Sequence, residues 1–569
     1  MSVWRSKNGV ELKSSSATGI VDGLMKARGF DPFDPSFAAA SLSDLSDPTS
    51  LGDGASLAAD IMIGCRGKNT AVIGDYDADG IISSVIVRRA IESLGGQCSV
   101  FLPSRWKHGY GLNDRTVADF KDRLDGKRPD VLFVVDCGSS SEEYISGLKA
   151  FGIGKIVIID HHIVNPSTMS RSADAHVNWR QFGTSKDLCA AGEVFQVARL
   201  ALSRVGKDWE WALPFAAMAT VGDSVPLTGD NRIIVRNGAD RQRMMSAGSP
   251  GLESIVSKRC SGGVSQKNLS FYVVPRINAA GRVSDPDMAL DFLLEKDSAE
   301  ASRMMMSIEA ANEERKKIQE KIFRSGISMV GGQYATPPFV FLHSPEWSIG
   351  VCGISCSQMV EKYGVPAMMF GTYDGKIKGS GRSVPGVNIK AILDECGDEV
   401  FEKYGGHEMA CGATVRGGMF FEAQMRFAAA LSKVTKGNTA SLVSEYDCEL
   451  EPSSITHDLG NCLFETLYPY CPSINPEPVF KICGAKVRKV TLNQYRVYSK
   501  LDLSVEKNGK RVAIQMSAFL KRGIDDEILS IKEGDVADFY FSFPQKSYFG
   551  FDCGSDEYSL ELVDVEKAL

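Results

Sequence analysis

Residues 75–80 read DYDADG, three carboxylates within five positions, directly after the apolar run TAVIG at 70–74. Like charges this close repel unless solvent or a cation offsets them. A solvated acidic turn or a calcium loop shares the pattern, but an EF-hand counted from Asp75 requires Glu at its twelfth position, where Ile86 stands. More acids and imidazoles follow in VVDCGSS (134–140), IDHH (159–162) and VGDSVPL (221–227). Asp77, Asp79, Asp136, His161 and Asp223 together offer hard oxygens and a borderline nitrogen. That donor set suits Mn2+ or Mg2+ better than a thiolate zinc site. A carboxylate shared by two ions, with Asp136 the candidate, would give the paired-metal arrangement used for phosphoester hydrolysis.

These residues need elements to bring them together. Apolar runs at 70–74, 97–103, 130–136 and 155–160 alternate with helical stretches at 80–94, 112–124 and 142–152, the first of them amphipathic. That alternation predicts an α/β domain with a parallel sheet covered on both faces. Asp75, Asp136 and Asp160 then lie at C-terminal strand ends, the edge where open parallel sheets bind ligands. From 185 to 245 the chain reads as mostly helical. No Pro or Gly interrupts 287–325, so 287–330 reads as a helical bridge, with Met304–Met306 as packing residues. A second α/β block runs from 338 to 434, and short strands fill 476–566.

At 569 residues the chain is too long for one core. Apolar content of 43% and charged content of 24% suit a soluble globular protein, and no apolar run is long enough for a membrane span. The first residues carry no secretory apolar region, and 14 scattered cysteines without a CxxC pair read as reduced thiols, so a cytoplasmic protein is expected. A net charge of −7 excludes a uniformly basic coat but not a local basic groove. One candidate lies at 478–501, with six basic residues and no acid. Strand alternation in YRVYSK there places Arg496, Tyr498 and Lys500 on one face, a surface suited to single strands.

The ordered motifs DYDADG, VVDCG, IDHH and GDSVPL resemble those of the DHH phosphoesterase superfamily, and more narrowly of the RecJ family of single-stranded-DNA-specific exonucleases. PSRWKHGYGL (103–112), PLTGDNRIIVRNG (226–238), PRINAAGR (275–282), SGRS (380–383), GGH (405–407) and NPEPVF (475–480) extend the resemblance almost end to end. It implies an N-terminal lead-in (1–60), a DHH catalytic domain (61–285) and a connecting helix (286–332). A DHH-associated α/β domain (333–437), a linker (438–475) and an OB-fold β-barrel (476–569) would follow.

The resemblance also implies roles. Asp75, Asp77, Asp79, Asp136, His161 and Asp223 would hold two divalent ions, Mn2+ or Mg2+. His162 would contact the scissile phosphate, with Asp160 orienting a histidine. Arg105, Arg276, Asn278, Arg282, Ser380, Arg382 and His407 would grip DNA, joined by Arg496, Tyr498 and Lys500 of the barrel. The implied enzyme is a monomeric 5′→3′ exonuclease that degrades single-stranded DNA to mononucleotides in recombination and repair, fed by a single-strand-binding protein and a helicase. Two other readings are a phosphodiesterase on short oligonucleotides or cyclic dinucleotides, and a non-catalytic DNA-binding replication scaffold. The extra helix and barrel argue against the first, and the complete motif set against the second. Ser348, in EWSIGVCGI where the family usually has His, and Glu408 after GGH depart from the pattern.

Overall fold

Five parallel strands form the first sheet, in the order Gln97–Phe101, Asn69–Ile73, Val131–Val135, Lys155–Ile159, Ala175–Val177. Four match the apolar runs. The fifth has three residues with His176 in the middle, too short and too polar to show as a periodic run. The structure is a computed structural model that describes residues 3–6, 16–30, 41–183, 187–260, 263–332, 337–435, 443–472, 474–492, 498–507, 510–519, 526–543 and 560–567.

All five residues of Val131–Val135 are buried, as a central strand covered on both faces requires. Helix Ala78–Ser93 was expected to be amphipathic, yet nearly its whole circumference is buried, including Ser83 and Ser84. Helices Ala190–Arg204 and Leu213–Gly222 pack over the side that would otherwise meet water. This helix starts in the acidic motif, so the motif rests on a buried element of the domain.

Helix Ser298–Val330 runs 33 residues, about 50 Å at the α-helical rise. Its first half packs on Pro250–Arg259 and Val274–Val283, and its second on Ile349–Tyr363 of the next domain. Within the methionine stripe Met305 is buried, whereas Met306 is exposed. The second domain carries a mixed sheet ordered Phe401–Gly406, Ala410–Val415, Lys376–Arg382, Ala367–Tyr373, Val340–His343.

Strands Phe480–Leu492, Tyr498–Lys507, Lys510–Phe519, Leu560–Lys567 and Val536–Ser542 pair in that order, and the last returns to the first. That closes a five-stranded barrel with the parallel third-to-fifth pairing of an OB-fold. The stretch 438–475, expected as a linker, holds helix His457–Leu467, whose Leu459, Leu463 and Leu467 fill the barrel's core cluster. The lead-in divides in two. Helix Ala17–Ala27 joins that cluster and strand Val3–Ser6 pairs with Val443–Tyr446, while helix Asp53–Ile63 packs in the first domain.

Candidate metal centre

The strand Asn69–Ile73 delivers Asp75 to the sheet edge, and Asp77 caps the helix that follows. The Asp77 carboxylate accepts from the backbone N–H of Asp79 at 3.0 Å and of Gly80 at 3.3 Å. Gly80 is required by a close approach: a Cβ there would lie 2.4 Å from the Asp75 nitrogen. Asp79 accepts from Ala190 N–H and Ala191 N–H, both at 2.8 Å, so a helix N-terminus anchors it. Asp136 sits just beyond Val131–Val135 with φ +59°, a left-handed backbone that is uncommon for a non-glycine residue.

His161 and His162 follow Lys155–Ile159. His161 Nε2 lies 3.5 Å from Asp136 Oδ1 and 3.8 Å from Asp79 Oδ2, and its Nδ1 lies 3.8 Å from Asp223 Oδ2. His162 Nδ1 donates to Asp160 Oδ1 at 2.7 Å, while Asp160 Oδ2 accepts from Ser139 N–H. The Tyr110 hydroxyl lies 2.8 Å from His162 Nε2. Asn178 Nδ2 donates to the His162 carbonyl at 2.9 Å, and Arg180 Nε donates to the His161 carbonyl at 2.8 Å.

The electrostatics divide these groups. Burial, then the charges of neighbouring carboxylates, pushes Asp75 and Asp136 well above the usual carboxylate range and Asp79 up to about 6. Burial, then the charge of His162, pulls His161 down to about 3, so its imidazole is neutral at physiological pH. Burial opposes the charges of His162 and Asp160 as well, but their mutual hydrogen bond and attraction outweigh it. His162 rises to about 9, and Asp160 is held well below the usual range.

Three sets of donor atoms, each within 4.8 Å, could hold a cation: Asp75 with Asp77 and Asp136, Asp79 with His161 and Asp223, and Asp136 with His161 and His162. Asp75 Oδ1 and His161 Nδ1 are buried without a hydrogen-bond partner, the condition of ligand atoms awaiting an ion. Asp136 belongs to two sets and His161 to two, so the residues fit a pair of ions sharing ligands.

The residues expected to grip DNA separate into two groups. Arg105, whose guanidinium lies over the Tyr76 ring, and Ser380 line a cleft of about 470 Å3 between the two lobes, together with Tyr110, Lys378, Lys403 and Tyr404. Arg282 spans the lobes, donating to the Gly350 carbonyl. Arg382 donates to the Gly381 carbonyl on the same strand as Ser380. The charge of His162 reaches His407 from the opposite lobe.

Arg276 is elsewhere. It is buried in a two-point ion pair with Glu309 of the long helix and donates to the Tyr272 carbonyl, so nothing leaves it free for a phosphate. Asn278 caps the motif helix instead, its Oδ1 accepting from Ala78 N–H at 2.8 Å. A Cβ on Gly281 would lie 2.2 Å from the Tyr76 carbonyl, so PRINAAGR is the brace behind the acidic motif. Arg496 lies outside the described residues, as does the Tyr498 side chain; Lys500 is half-buried.

Sequence reasoning missed Tyr110, Asn178 and Arg180. Tyr110 stands inside GYGL, a stretch noted only as an ordered match, and the other two follow a strand too short to notice.

The sequence profile of the DHH family, N-terminal domain, matches residues 69–220, and that of the DHHA1 domain matches 334–436. A protein of Bacillus subtilis named single-stranded-DNA-specific exonuclease RecJ is 31% identical over 412 residues, 70% of this chain and 50% of that protein. The chain thus spans about half the length of that relative. The Escherichia coli protein of the same name is 29% identical over 448 residues, 73% of this chain and 75% of its own. A crystal structure of RecJ in complex with Mn2+ from Thermus thermophilus superposes with a TM-score of 0.76 at 21% identity, over 100% of this chain and 80% of that one, a likeness of fold. A crystal structure of exonuclease RecJ bound to manganese gives a TM-score of 0.57 at 26% identity, over 68% of this chain and 96% of that one.

Proposed function

Because the chain belongs to the DHH family, we propose that it is a metal-dependent hydrolase that removes mononucleotides from the 5′ end of single-stranded DNA. The observation that carries this reading is the three interlocking donor sets at one sheet edge, facing a cleft lined by Arg105, Lys378 and Lys403. Asp75, Asp77, Asp79, Asp136, His161 and Asp223 would hold two Mn2+ or Mg2+ ions, the metals named for the solved RecJ structures. Bound there, such ions supply Lewis acidity and offset the negative charge of a reacting phosphodiester.

The protein's own groups do the rest. His162 keeps a proton at neutral pH because Asp160 holds its Nδ1, and its other nitrogen faces the cleft beside Tyr110. It contacts the scissile phosphate and assists the leaving group. Arg105, Arg282, Ser380 and Arg382 hold the strand end in the cleft, where guanidinium groups match phosphate geometry. The barrel extends the track: Lys486, Arg488 and Lys489 are exposed on its first strand. Such an enzyme acts as a cytoplasmic monomer in recombination and repair, on strands supplied by a helicase or a single-strand-binding protein. Among the described residues no helix is long and apolar enough to cross a membrane.

The test is digestion in Mn2+ of single strands labelled at the 5′ or the 3′ end, as DNA and as RNA. Labelled mononucleotide should appear at once from 5′-labelled DNA and only late from 3′-labelled DNA. Release that starts from the 3′ label, or equal rates on RNA, would overturn the polarity or the substrate class.

A further inference from the structure

Arg180 has no role in the reading above. It lies in the segment 178–182, directly after the short strand Ala175–Val177, and it is exposed. Three constraints fix it. Its Nε donates to the His161 carbonyl at 2.8 Å, its guanidinium carbon lies 4.3 Å over the Trp179 ring, and its backbone N–H donates to Asn178 Oδ1 at 3.0 Å. Trp179 is itself held, its indole N–H on the Leu188 carbonyl and its backbone N–H on the buried Glu193 carboxyl. Among the described residues, the terminal Nη groups of Arg180 make neither a hydrogen bond nor an ion pair. A guanidinium pinned at its root and open at its tip has lost most of its rotamer freedom before it meets a ligand, which favours binding an anion.

Its surroundings say which anion. The charge of Arg180 reaches His161 and Asp223 at the metal centre, and His407 of the opposite lobe. The charge of Arg105 reaches Asp75 and Tyr76. Arg180 is bonded at the His161 carbonyl, whereas Arg105 lies over the ring of Tyr76, next to Asp75. The two arginines thus stand at different ends of the donor cluster, and a strand laid along it passes from one to the other. We propose that Arg180 binds a non-bridging phosphate oxygen of the nucleic-acid strand, at an internucleotide linkage next to the one that is cut and at the His161 end of the donor cluster. The inference rests on the proposed nuclease reading and adds the residue that sets the strand's path beyond the cut.

The experiment moves one neutral methylphosphonate linkage along a short oligothymidylate and measures binding by fluorescence anisotropy in Ca2+, without turnover. The wild-type chain should lose about 10- to 100-fold in affinity at each linkage that meets a charged donor. Arg180→Gln should lose similar affinity for the unmodified strand and become insensitive at one linkage only. Its slope of log affinity against log salt should be smaller by about 0.7, one phosphate's share on a single strand. Arg180→Lys should recover part of both. A Gln variant that keeps the wild-type response at every linkage overturns the proposal and leaves Arg180 as a brace for the His161 backbone. Binding with the predicted pattern in Ca2+, but no hydrolysis of the same strands in Mn2+, would support Arg180 and overturn the nuclease reading. A wild-type chain that binds no single strand would overturn both.

Discussion

The protein buries charge in two places, and it treats that charge in opposite ways. At the sheet edge, Asp75, Asp79 and Asp136 crowd together with no arginine or lysine bonded to them among the described residues; His162 stands 4.0 Å from Asp136, and Asp75 Oδ1 has no hydrogen-bond partner. Where the start of the chain meets the barrel, buried charge meets partners. Arg28 grips Asp447 through Nε and Nη2 at 2.9–3.1 Å and donates from Nη1 to Asn475 Oδ1 and the Pro476 carbonyl. Nearby, the fully buried Arg232 donates to the carbonyls of Thr466 and Leu467, capping the negative end of helix His457–Leu467. Paired charge of this kind orients domains. Unpaired buried charge is destabilising by itself and persists where a ligand completes it. The contrast separates candidate function from architecture without reference to any relative.

The sharpest way to break this contrast is at Asp136. Asp136→Asn removes one charge from the cluster and one donor shared by two ligand sets. Nuclease activity in Mn2+ should fall by about a thousandfold or more, the loss of a group acting directly on the reacting centre. The metal-free melting temperature should stay level or rise, because a repulsion has gone. A variant that is both inactive and strongly destabilised would place Asp136 among the architectural charges instead.

The opposite substitution belongs at Arg28. Its side chain is 2% exposed and that of Asp447 7%, so Arg28→Met strands a carboxylate inside the protein. The barrel unit should lose about 3–5 kcal/mol in urea unfolding. If the barrel only extends the strand's track, as proposed, hydrolysis of very short strands should stay near wild type. Replacing both partners by apolar residues should restore much of the stability, and failure to do so would mean that Arg28 contributes more than a pair.

The site was the more legible of the two regions. Carboxylates placed at the ends of apolar runs announce their own convergence, because every parallel strand delivers its C-terminal residue to the same edge. Asp75, Asp136, Asp160 and His161 could be located from that rule before any coordinates. Nothing local announces that Arg28 meets Asp447, 419 residues away, or that helix Ala17–Ala27 belongs to the barrel core. Arg276 shows the same limit within the site region. Its sequence neighbourhood suggests a DNA contact, and only the tertiary partner Glu309 reveals a brace. The departures Ser348 and Glu408 also gain little. Ser348 stands at the start of helix Ile349–Tyr363 without a side-chain cap bond, and Glu408 is exposed.

The smallest expected effect tests whether the acidic cluster awaits a cation at all. Asp79 titrates near 6 in the folded chain and at an ordinary carboxylate value when unfolded, because burial and then Asp77 oppose its ionisation. Between those values the native state holds a proton that the unfolded state has released. By linkage, the Asp79 contribution must fall as pH rises through that window, and its penalty is complete above about 6. In chelator, the stability of the wild type relative to Asp79→Asn should therefore fall by on the order of 1 kcal/mol between pH 5 and pH 7, about 2–4 °C in the difference of melting temperatures. The comparison removes the histidines, whose own titration runs through both profiles alike. Mn2+ should stabilise the wild type more at pH 7 than at pH 5, since bound ions reward the ionised carboxylates that protons otherwise occupy. Stabilisation by Mn2+ that is the same at both pH values, or an Asp79→Asn profile that runs parallel to the wild type's, would mean that the crowded carboxylates are already satisfied by the protein.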